Sequence, residues 1–91
     1  MGERPSSRKK APERDRTPDR VLGDVLRAVR LEKGMTQEQL AWETGVERAF
    51  ISELERGVKG ASVNMLFRLA KGLNTSASDI IEKVEQDIRH Q

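Results

Sequence analysis

The run QEQLAWETGVERAFISELER occupies residues 37–56, and its reading decides the rest of the chain. Apolar or small side chains fall at Leu40, Ala41, Val46, Ile51 and Leu54, with a glycine at Gly45. Leu40, Ala41 and Thr44 share the inner face of one short helix, and Ile51 and Leu54 that of a second. Gly45 interrupts the pattern between them. A tight reversal there needs a positive φ, which glycine adopts without steric cost. Two helices joined by such a turn and crossing at about 90–120° meet closely, so the residue at the contact must be small, as Ala41 is. Thr36 and Gln39, three residues apart, have the spacing of a capping box that starts the first of these helices.

The same logic extends outward. Thr17 followed by Pro18 is a helix start, with proline at a position where its missing N–H does no harm. Leu22, Val25, Leu26 and Val29 then recur at i, i+3, i+4 and i+7, and Gly34 ends that helix. A third helix over about Arg48–Arg56 ends at Gly57. Ser62 caps a fourth that carries Leu66, Leu69, Ala70 and Leu73. Ser76 with Asp79 starts a fifth, which carries Ile80, Ile81, Val84 and Ile88. No alternating strand pattern is visible. The spacing therefore predicts an all-α domain of five short helices over residues 18–90. A core of that size is modest, and a partner chain would add to it.

Charge and composition restrict what such a domain does. The 91 residues hold 17 Lys+Arg and 15 Asp+Glu. Residues 1–20 carry seven basic and four acidic side chains, whereas residues 21–91 carry ten and eleven. The basic excess thus belongs to the first twenty residues, which also hold all three prolines. Before position 21 the only apolar residues are Met1 and Ala11, so residues 1–17 are expected to form a disordered basic arm. No apolar run exceeds three residues, which excludes a membrane-spanning helix and a secretory signal core. The chain has no Cys, and its one His is His90. It is poorly stocked for acid–base or thiol chemistry, and no metal-ligand pattern is present, so neither an enzyme nor a cofactor is expected.

At this point the sequence resembles a known family. The stretches R-L-E-K-G-M-T-Q-E-Q-L-A (30–41), G-V-E-R-A-F-I-S-E-L-E-R-G (45–57) and S-V-N-M-L-F-R-L-A-K-G-L (62–73) are similar to the phage-repressor-like helix-turn-helix domain, the Cro/C1 or XRE type. R-A-F-I-S-E-L-E-R (48–56) further resembles the R-x-aromatic-I-S-x-x-E-R pattern of restriction–modification controller proteins. The resemblance implies a dimeric, sequence-specific transcriptional regulator, cytoplasmic and nucleoid-associated. Its third helix would lie in the major groove of a pseudo-palindromic double-stranded DNA operator. On that reading Arg48 presents a fork to guanine O6 and N7, Ala49 packs on a thymine methyl, and Ser52 faces a base or a phosphate. Glu53, and Glu47 at the N-cap, would accept from cytosine N4. Thr36 and Gln37 would hold a phosphate at the start of the second helix, where free backbone N–H groups favour an anion, and Lys59 would reach another. The resemblance also implies that Arg30 and Glu55 pair with each other inside the domain rather than with DNA. Two positions depart from the family pattern. Glu47 stands where Ser, Thr or Asp is usual, and Ala61 where many relatives have Pro.

Several residues carry two readings. Phe50 either packs between helices or lies along the sugar–phosphate backbone. Trp42 is either an interface anchor or is covered by neighbouring stems. In the fifth helix the stripe from Ala77 to Ile88 is longer than the core needs. Ile80, Ile81, Val84 and Ile88, within residues 76–90, are therefore expected to form a two-fold dimer interface, the alternative being that the helix end packs back on the first helix. The arm either follows the duplex by counterion release or is a passive tail. A competing function is a protein-binding adaptor or antitoxin built on the same fold, with Trp42 and the Ile80–Ile88 stripe as its surface.

Overall fold

A computed structural model describes residues 17–90; residues 1–16 of the arm expected over 1–17 lie outside the described residues, and Thr17 belongs to the start of the first helix. Five helices follow in chain order: α1 (Pro18–Glu32), α2 (Gln37–Thr44), α3 (Arg48–Glu55), α4 (Val63–Gly72) and α5 (Ala77–Arg89). No strand occurs among the described residues.

Local chemistry accounts for the boundaries. Thr17 Oγ1 accepts from the Arg20 amide, with Pro18 at the first helical position. Thr36 and Gln39 form the expected reciprocal box: Thr36 Oγ1 accepts from Gln39 N at 3.0 Å, and Gln39 Oε1 from Thr36 N at 2.8 Å. Ser62 and Ser76 accept from the amides three residues on and cap α4 and α5. Gly45 takes the left-handed conformation at φ 73° that the α2–α3 turn needs. Thr44 completes that turn, donating to the Leu40 carbonyl and accepting from Val46 N.

The core draws on every element. Val21, Leu22, Val25, Leu26 and Val29 of α1 meet Ile51 and Leu54 of α3 and Ile80 and Val84 of α5. Leu40, Val46, Leu66, Leu69, Ala70 and Leu73 close the other side. Helix α1 packs against α3 and α5, α2 against α3 and α4, and α4 against α5. Gly23 sets the α1–α3 approach: a Cβ there would overlap the carbonyl oxygen of Leu54. That backbone contact has no counterpart in the periodic pattern, which marks only side-chain faces.

The α5 stripe corrects one expectation. Ile80 is 0% exposed and Val84 5% exposed within the single chain, so neither offers surface to a second copy. Ile88 is half-buried against the same core, and only Ile81 stands out, 40% exposed. The helix end packs back on α1, because α1 is itself fifteen residues long and supplies the matching surface.

Candidate nucleic-acid interface

The N-termini of α2 and α3 form the candidate site. Arg48 begins α3 and is exposed; Ala49 beside it is exposed, and Ser52 one turn on is half-exposed. These three share one face of α3, and Ile51 and Leu54 on the opposite face hold it to the core. Glu47 occupies the N-cap, yet its side chain makes no capping hydrogen bond, which leaves the positive end of α3 uncapped by any side chain. Phe50 is half-buried against the core, which favours packing over a lateral backbone contact.

Behind Arg48 lies a connected set of polar groups. Arg30 and Glu55 are buried, and their pairing is bidentate: Arg30 Nε donates to Glu55 Oε2 at 2.6 Å and Nη2 to Oε1 at 2.9 Å. Arg30 Nη1 also donates to the Met35 carbonyl at 2.8 Å. The hydrogen bond to Glu55 is the main reason that the Arg30 guanidinium is held above its ordinary value, with burial opposing it. Gln37 Nε2 donates to Glu55 Oε1 at 2.9 Å, and Gln37 Oε1 accepts from Arg48 Nη1 at 3.1 Å. The Glu38 carboxylate stands 3.7 Å from Arg48 Nε. Arg30 and Glu55 therefore pair internally, as the resemblance implied. The Gln37 side chain turns its donor inward, so the donors left at this end of α2 are the first backbone N–H groups of the helix.

The other expected contacts are distributed as follows. The Thr36 side chain is engaged in its cap. Lys59 Nζ lies 3.9 Å from Glu53 Oε1, which partly neutralises both across the α3–α4 loop. Arg20 Nη1 donates to the Arg56 carbonyl, tying the start of α1 to that same loop, and Arg68 Nη2 donates to the Thr44 carbonyl at the end of α2. Nothing in the periodic pattern signalled these two ties. Trp42 is 88% exposed on α2 and has no cover from neighbouring stems. Elsewhere, Val63 and Phe67 of α4 are exposed, Phe67 and Ala77 line one groove, and Ile81, one helical turn on from Ala77, is exposed as well. Their i, i+4 spacing was a usable signal, lying outside the Leu66–Leu69–Leu73 stripe. Among the described residues there is no group of three or more His, Cys, Asp or Glu able to hold a metal, and no helix is long and apolar enough to cross a membrane.

This arrangement, a crossed helix pair joined through Gly45 with an outward Arg at the start of the second helix, defines a class. The helix-turn-helix family model matches residues 26–80, and the chain belongs to that family. Among its relatives is the control protein C.BamHI of Bacillus amyloliquefaciens, 33% identical over 63 residues, which span 68% of this chain and 78% of that protein. The crystal structure of the clp gene regulator ClgR from C. glutamicum superposes with a TM-score of 0.77 at 32% identity, covering 82% of this chain and 97% of that one. The restriction–modification controller protein C.Esp1396I, solved as a tetramer in complex with its natural 35 base-pair operator, superposes with a TM-score of 0.73 at 34% identity. The match covers 78% of this chain and 93% of that one.

Proposed function

We propose that this chain is a sequence-specific DNA-binding transcriptional regulator that acts as a dimer on a pseudo-palindromic operator. The observation that carries the reading is Arg48, exposed at the start of a recognition helix whose inner face is locked to the core. Arg48, Ala49 and Ser52 face base edges, with Glu47 and Glu53 flanking them as acceptors for cytosine. The amides at the start of α2, beside Thr36 and Gln37, and Lys59 in the loop hold the phosphates on either side. C.Esp1396I, a relative of the same fold, is solved on operator DNA, which supports the partner.

The second copy docks on the α4–α5 face, where Val63, Phe67 and Ile81 are exposed and Ala77 is half-buried. Two recognition helices about 34 Å apart then enter successive major grooves. The protein is a binder rather than an enzyme and works on nucleoid DNA in the cytoplasm. Residues 1–16 are a basic arm that adds phosphate contacts by counterion release, outside the 18–90 domain.

Selection from random duplex DNA, followed by binding at two salt concentrations, tests the reading. Enrichment of a two-fold symmetric site is the expected result. Recovery of no preferred sequence would leave the adaptor or antitoxin reading, for which exposed Trp42 is the supporting surface.

A further inference from the structure

Glu55 Oε1 accepts two hydrogen bonds, one from Arg30 and one from Gln37, and Oε2 accepts a third from Arg30. A carboxylate only accepts and a guanidinium only donates, whereas a glutamine amide has one end of each kind. Placed between Glu55 and Arg48, the Gln37 amide has a single satisfied orientation, with Nε2 towards Glu55 and Oε1 towards Arg48. The flipped amide would set oxygen against carboxylate and NH2 against guanidinium. The outward end of Gln37 is thus an acceptor, which suits an arginine and not a phosphate.

We propose that the buried Arg30–Glu55 pair, acting through the Gln37 amide, is a positioning device that fixes the edge of the Arg48 guanidinium offered to DNA. The proposal rests on the reading of Arg48 as a base contact. With Nη1 held by Gln37, the Nε/Nη2 edge is left to grip guanine O6 and N7. The Glu38 carboxylate pairs with Nε at 3.7 Å, too long for a hydrogen bond, and is the one group on that edge that the base would displace. Without the bridge, the long Arg48 side chain would lose its rotamer freedom only on binding. That is a cost of about 0.5–1.5 kcal/mol, or about two- to tenfold in affinity for the preferred base. Arg30, Glu55 and Gln37 are positioning residues on this account, since none of them touches a base.

The test uses the full chain and two variants: Gln37→Met, which keeps length without polar ends, and Gln37→Ala, which removes the bridge without adding bulk. In the DNA-free protein, NMR relaxation at the Arg48 Nε–H should report an ordered side chain that becomes mobile in both variants. On DNA, discrimination between the selected operator and a copy altered at the Arg48 base pair should fall about two- to tenfold, with the salt slope unchanged. In an Arg48→Ala background the Gln37 variants should cause no further loss of discrimination. An Arg48 side chain as ordered in the variants as in the parent would overturn the proposal. So would an equal loss in the Arg48→Ala background, or a salt slope shallower by about one ion with discrimination intact. If the parent protein selects no sequence at all, the regulator reading falls, while the DNA-free measurement still decides the positioning.

Discussion

Arg48 and Glu55 do opposite work at the residue scale, one exposed and one buried, with a single glutamine between them. Replacing Arg48 with Ala should cost about 1–3 kcal/mol of specific binding and relax one base position. Competition between the operator and single-base variants measures this, and an unchanged ratio to random DNA would remove Arg48 from base reading. The buried pair behaves differently. Arg30→Met alone leaves Glu55 charged and uncompensated, and should destabilise the domain by about 3–5 kcal/mol in urea unfolding. Arg30→Met combined with Glu55→Leu should recover most of that loss, because the pair's desolvation cost is removed with its attraction. A double variant no more stable than the single one would contradict this account. The Arg30 contribution to stability has a definite sign with pH. Its folded pKa is raised, so the stabilisation is complete below the ordinary guanidinium value and is lost only as pH rises through the raised one, far above neutrality.

The elements show why much of the fold was legible. Helix starts are set by side chains within four residues of the end they cap. Thr17, Thr36, Ser62 and Ser76 all make the hydrogen bonds that their sequence positions imply. Glu47 is the exception, and its departure from the usual residue has a visible consequence in the missing side-chain cap of α3. Glu47→Ser should therefore stabilise the domain by about 0.5–1 kcal/mol, measured as a rise in urea midpoint at constant slope. A lowered midpoint would mean that Glu47 holds α3 by some other contact. What the local pattern missed lies between elements: Gly23 against the Leu54 carbonyl, Arg20 donating to the Arg56 carbonyl just past α3, and Arg68 donating to the Thr44 carbonyl of α2. These contacts join residues far apart in sequence, and no period in one helix encodes them.

At the scale of the whole molecule, the question is which apolar surface remains once five helices have packed. Helix α5 spends Ile80, Val84 and part of Ile88 on α1; of the apolar side chains left exposed, Val63, Phe67 and Ile81 lie on α4 and α5, whereas Leu31, Trp42 and Val58 lie on other segments. Phe67→Lys should leave the fold intact, since Phe67 is 63% exposed, and should shift a dimer to monomer in sedimentation at micromolar concentration. The melting temperature of the parent should rise with protein concentration, and that of the variant should not. A variant that stays dimeric would move the interface elsewhere.

The sequence by itself determined the five helices, their caps, the Gly45 turn and the outward place of Arg48, because each follows from spacing within one or two turns. The tertiary structure decided the rest. It turned the Gln37 donor onto Glu55, took Ile80 and Val84 into the core and left Phe67 outside it. The reason is physical: an amphipathic stripe shows which residues can be buried, but only the packed partner helix shows how much of that stripe it covers.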